Sequence, residues 1–158
     1  MYRNLAGDTR TKVIANTAFV ETMPRVSPDG HWIAYVTGES GSPQVVVQPF
    51  PGPGSRTQVS VRGGTEPVWS HDGRRLFYRD TQHLIAANVS TTSSFSVTSR
   101  ETLFTDDFVR YSLPHANYDV SPDGKGFLFL KATEEARVTV VYNWLDEVRA
   151  QMRGKAQK

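Results

Sequence analysis

Apolar and polar positions alternate in short runs along most of this chain. The runs recur in register around three polar tetrapeptides: Ser27-Pro28-Asp29-Gly30, Ser70-His71-Asp72-Gly73 and Ser121-Pro122-Asp123-Gly124. Val26, Trp69 and Val120 precede the serines, while Ile33, Leu76 and Phe127, then Tyr35, Tyr78 and Phe129, follow the glycines. Alternation with a period of two on both sides of a turn signal predicts β-hairpins. The copies lie 43 and 51 residues apart, close to the roughly 40–50 residues of one four-stranded propeller blade.

The tetrapeptides have a structural explanation. Asp-Gly between apolar runs is a hairpin signal, and a type I′ turn is expected because Gly tolerates positive φ freely and Asp better than most residues. The Ser and Asp side chains can bond nearby backbone groups and hold the reversal closed. Ser27, Asp29, Gly30, Ser70, Asp72, Gly73, Ser121, Asp123 and Gly124 are therefore read as turn residues, not as nucleophiles or metal ligands.

Residues 1–22 hold one apolar stretch, at 12–15, read as a single strand of a preceding or shared blade. Residues 23–64 make a first full unit, with strands expected over 23–27, 31–37, 44–50 and 57–61. Its second strand is apolar on both faces, with Trp32, Ala34 and Val36 on one side and Ile33 and Tyr35 on the other, so it must be covered twice. The three prolines and two glycines of residues 49–55 cannot continue a ladder and predict a loop. Residues 65–113 form a second unit, with strands over 66–70, 75–79, 84–89 and 95–104. A polar insertion at 90–94 lengthens it at small entropic cost. Residues 114–143 form an incomplete third unit, with strands over 117–121, 126–130 and 137–142. A helix is expected over 144–152, where Trp144, Leu145, Val148 and Met152 share one face, and a basic tail runs to residue 158.

The predicted fold is thus all-β: about three four-stranded antiparallel blades, part of a six- to eight-bladed β-propeller, plus a short C-terminal helix. Propellers have about four to eight blades, so three units leave apolar flanks to be covered. Either the chain is the end of a longer propeller, the preferred expectation, or copies associate until the ring closes.

Composition narrows the function classes. The 158 residues are 38% hydrophobic with a net charge of +2 and no cysteine, which excludes disulfides, thiolate catalysis and cysteine-ligated metal. No run approaches the roughly 18 apolar residues of a membrane span. Arg149, Arg153, Lys155 and Lys158 concentrate basic charge in the last ten residues, read as a solvated tail and not a nucleic-acid arm. His31, His71, His83 and His115 lack metal-ligand spacing. No cofactor or metal is expected.

The blocks MPRVSPDGHWIAYVTGESGSPQVVVQPFPGPG, GGTEPVWSHDGRRLFYR and ANYDVSPDGKGFLFLKA resemble the WD40-like, or PD40, repeats of the TolB-like propeller family. More narrowly, they resemble the C-terminal blades of bacterial serine/threonine protein kinases, in which an ending like VVYNWLDEVRA is also typical. The resemblance covers roughly residues 5–152. His71 departs from it by replacing the usual Pro, and Tyr118 by standing where the other units have Pro24 and Pro67. It implies a protein- or ligand-binding part of a larger bacterial protein. A true start at Met1 would imply the cytoplasm, and a membrane kinase or TolB-like context an extracytoplasmic site.

Kinase motifs and a Gly-x-Ser-x-Gly elbow are missing from the sequence, so a non-enzymatic binding module is expected. The alternative is the propeller part of a hydrolase or peptidase whose catalytic domain lies elsewhere. Loops entering the inner strands would ring one mouth of the central channel. They nominate Glu21, Thr22, Arg25, Thr65, Glu66, Arg110, Tyr111, His115 and Asn117 as a face for a protein or peptide partner.

Overall fold

The computed structural model describes residues 10–15, 17–92, 94–110 and 115–130. Among them every regular element is a β-strand. The first sheet has the order β1 (Glu21–Val26), β2 (Trp32–Thr37), β3 (Gln44–Pro49) and β4 (Thr57–Gln58). The second has β5 (Thr65–Trp69), β6 (Arg75–Arg79), β7 (His83–Ser90) and β8 (Ser96–Thr105), and the third pairs β9 (Tyr118–Val120) with β10 (Phe127–Phe129). All pairings are antiparallel between consecutive strands. The expected strand at 137–142 and helix at 144–152 lie outside the described residues. The expected strand at 12–15 is reduced to an isolated bridge at Lys12, although the Ile14 carbonyl accepts a bond from Gln48 Nε2 (2.9 Å).

The three tetrapeptides fold alike, but not as the expected type I′ turn. In each, the glycine N–H donates to the serine carbonyl (2.8–2.9 Å), and the serine N–H to a carbonyl five residues on. The serine Oγ donates to the aspartate and accepts from the N–H of Trp32, Arg75 or Gly126. The aspartate accepts the N–H of His31, Arg74 or Lys125. Only the glycines have positive φ, +74°, +69° and +69°, and the aspartates do not. The loop is thus four residues built around an ordinary turn. The serine hydroxyl and the Asx bond replace the left-handed aspartate that a two-residue loop would need.

β4 is shorter than expected because the ladder breaks after Gln58. The N–H groups of both Val59 and Ser60 go to the Val45 carbonyl, while Ser60 Oγ takes the Val45 N–H at 2.9 Å. β1 and β5 each carry a bulge: Met23-Pro24 stand opposite Tyr35 and Glu66-Pro67 opposite Tyr78. Met23 and Glu66 have φ of +54° and +55°. A bulge absorbs the proline, which has no N–H for the ladder.

The alternation read from sequence decides where the core lies. Ala34, Val36, Val45 and Val47 of the first sheet pack on Trp69, Leu76, Tyr78, Ile85 and Ala87 of the second. The intervening Val68, Phe77, Leu84 and Ala86 pack on Tyr118, Val120, Phe127 and Phe129 of the third. The middle sheet is therefore covered on both faces. Phe95 wedges between Trp32 and Trp69, its ring 5.5 and 6.3 Å from theirs. At the other interface Phe127 meets Phe77 edge-on at 4.9 Å and Phe129 stacks on Phe108 at 4.3 Å.

Candidate functional site

Two polar constellations lie between the sheets. The first is a buried charge network centred on Arg79, the last residue of β6, which is wholly buried. Its Nη2 donates to Asp106 Oδ1 at 2.7 Å and its Nε to Asp106 Oδ2. Nη1 donates to both oxygens of Glu66 at 3.3 Å, and the Val109 and Phe108 carbonyls accept from the guanidinium at 3.0 and 3.1 Å. The guanidinium lies 5.7 Å from the centre of the Phe129 ring. Every donor direction of the planar fork is engaged.

Its carboxylates are tied in turn to the third sheet and the loop before it. Glu66 Oε2 accepts the Asn117 N–H at 2.6 Å, and the Glu66 carbonyl accepts the Tyr118 hydroxyl at 2.9 Å. Asp106 also accepts from the Phe108 N–H and from Arg110, whose Nη1 donates to the Asp80 carbonyl. Burial pushes the Asp106 carboxyl up, but bonds to Arg79 and the charges of Arg79 and Arg110 outweigh it and hold the group below its ordinary 3.8. Burial raises the Tyr118 hydroxyl well above 10. With its acids and bases mutually saturated, this network offers no free general base or nucleophile and acts as a lock between sheets.

The second constellation is a cleft of about 510 Å³ to which the first strand of each described sheet contributes: Arg25 and Val26 from β1, Val68 and Trp69 from β5, and Tyr118 and Asp119 from β9. Its floor is apolar, and Trp69 is fixed there by the bond from its indole N–H to the Arg25 carbonyl (3.0 Å). Polar groups at its edge include Arg25, His71 and His115, with Asp119 the one carboxylate among its lining residues, while Asn117 lines it with its amide atoms buried. Among the described residues no group of three or more His, Asp or Glu side chains is placed to hold a metal ion, and no helix is long and apolar enough to cross a membrane.

The nominated residues divide between these places. Arg25, His115 and Asn117 meet in the cleft. Glu66 is 3% exposed and belongs to the lock, as does Arg110. Thr65 is half-buried and pairs with Arg79 across β5 and β6. Glu21 and Thr22 flank a separate groove beside Ile33 and Tyr35, and Glu21 accepts from the Thr17 hydroxyl at 3.0 Å. Tyr111 lies outside the described residues.

Sequence reasoning did not nominate Arg79, Asp106, Trp69 or His71 for these sites, though one of them, Arg79, carried a legible signal together with the nominated Glu66. Arg79 holds the position filled by Val36 and Leu130 in the other units, and Glu66 that filled by Met23. Two opposite charges replacing apolar residues in the same unit indicate a buried pair. No protein-family model matches the chain, and no curated protein matches it.

Proposed function

We propose that the three sheets are successive blades of a TolB/PD40-like β-propeller. In this reading the chain is a non-catalytic module that seats a peptide segment of a protein partner in the cleft between its inner strands. One observation carries this reading: β1, β5 and β9 each deliver side chains to a single cleft, as strands around a common axis would. The sequence resemblance to C-terminal kinase blades supports a sensor or interaction role within a larger bacterial protein.

The lining favours an extended peptide with acidic side chains. The Arg25 guanidinium, the His71 and His115 imidazoles and one carboxylate, Asp119, line the cleft with Trp69 and other apolar residues; guanidinium and imidazole N–H groups can donate to a ligand carboxylate, and the apolar lining buries aliphatic stems. Selection from a random displayed-peptide library tests this. Enriched sequences rich in Asp and Glu are expected, with affinity falling about tenfold or more for Arg25→Glu, since reversing a rim charge replaces attraction by repulsion. Failure to enrich any peptide, or capture indifferent to Arg25→Glu, removes the cleft from consideration.

A further inference from the structure

The fixed charges around the cleft cancel, and two imidazoles decide what remains. Its lining holds one cation, Arg25 of β1, and one carboxylate, Asp119 of β9, whose Oδ1 accepts the Val120 N–H at 2.9 Å. Tyr118, also in the lining, donates its hydroxyl to the Glu66 carbonyl, and burial keeps it protonated. The residues from β10 are apolar. The other titratable side chains of the lining are His71, in the turn after β5, and His115, in the segment before β9. With both rings neutral the lining has no net charge, and with both protonated it is cationic.

The fold accounts for neither histidine. His71 occupies the position held by Pro28 and Pro122 in the other two tetrapeptides, and all three turns form the same backbone bonds, so the reversal does not need an imidazole. Both residues are exposed. His115 Nδ1 lies 3.2 Å from the Ala116 carbonyl. A carbonyl only accepts, so this contact is a hydrogen bond with the proton on Nδ1, and the neutral ring then keeps a bare lone pair on Nε2. That lone pair repels a carboxylate. Protonation at Nε2 turns the acceptor into a charge-assisted donor without breaking the bond to Ala116. His31 and His83 are outside the lining, with Nδ1 3.6 Å from Asp29 and 3.3 Å from Asp80.

We infer that binding in the cleft is coupled to protonation: seating a carboxylate-rich peptide takes up protons at His115 and His71, so affinity rises as pH falls from about 8 to about 5.5. The sign follows from linkage. An anionic ligand favours the imidazolium over the neutral ring, so the bound state holds more protons than the free one, and binding weakens as pH climbs through histidine's range. Aspartates of a peptide titrate near about 3.9 and stay ionised across that window, so the change belongs to the protein. The inference rests on the acidic-peptide reading above and adds its regulation.

Calorimetric titration of the full chain with the capped peptide Asp-Leu-Asp-Leu-Asp, between about pH 5.5 and pH 8, tests it. Affinity is expected to fall about tenfold or more across that range, the effect of a one-unit shift at one imidazole. Comparing two buffers of unlike ionisation enthalpy midway through the range should show net proton uptake on binding. His115→Gln and His71→Gln, both at exposed positions, keep a donor but cannot titrate. Each should flatten the pH dependence in part, and the double variant should bind with one affinity throughout. Arg25→Glu should weaken binding at every pH. Binding that is lost in Arg25→Glu yet flat with pH overturns the coupling and leaves the cleft reading standing. A slope that persists in the double variant puts the titration at His31, His83 or another group and also overturns it. No binding at any pH removes the coupling and the cleft reading together.

Discussion

Arg79 and Asp106 meet through two parallel hydrogen bonds with neither side chain exposed to solvent. A bidentate pair of this kind is geometrically specific, and truncating one member strands the other charge. Arg79→Ala is expected to cost about 3–5 kcal/mol, measured by urea denaturation. A loss below about 1 kcal/mol would mean that water reaches the carboxylates.

Acid should release the same lock. The Asp106 carboxyl is held below 3.8 in the folded chain, so its contribution is complete above the unfolded value and disappears as pH falls through the folded one. Stability is expected to decline below about pH 4, and the decline should be shallower in Asp106→Asn. Denaturation midpoints measured between pH 2 and pH 6 compare the two slopes.

Alkali acts at the opposite end of the network. Burial raises the Tyr118 hydroxyl, and more modestly those of Tyr35 and Tyr78, above 10. A raised tyrosine contributes stability below the unfolded value that is lost as pH climbs toward the folded one. Tyrosinate absorbance should therefore show a late phase that coincides with unfolding, and Tyr118→Phe should reduce its amplitude. A single phase near 10 for every tyrosine would contradict this.

The turns allow a cleaner test. A Cβ on Gly30 would meet nothing within 4 Å, so Gly30→Ala adds only left-handed backbone strain, about 1 kcal/mol. Gly30→Asn should cost less, since Asn tolerates that region. Ser70→Ala, which removes a hydroxyl serving both Asp72 and Arg75, should cost about 1–2 kcal/mol. Thermal melts of the three variants give the order directly.

Much of the architecture was legible because it is local. The tetrapeptides mark reversals through the chemistry of Ser, Asp and Gly, and alternation along residues 32–37 and 75–79 assigns each side chain to a face. The bounds of β6 match the expected 75–79. What escaped is non-local. The early end of β4 depends on Ser60 capturing the Val45 N–H, and the left-handed backbone at Glu66 depends on a bulge facing Tyr78. Burial of Arg79 needs Asp106 brought from beyond β8. The same distance in sequence explains the cleft: Arg25, His115 and Asn117 could be nominated singly, whereas His71 joins them only once the second sheet is placed beside the third.

The bulges in β1 and β5 have an evolutionary corollary. Backbone shape there is set by the proline and the facing tyrosine, so the residue beside the proline can change from thioether to carboxylate while strand and turn keep their form. Neighbouring units can then differ in affinity through one interchangeable side chain apiece, as numbered keys cut on the same blank. The side chain that joins one sheet to the next can therefore change without any redesign of the strand pairing within either.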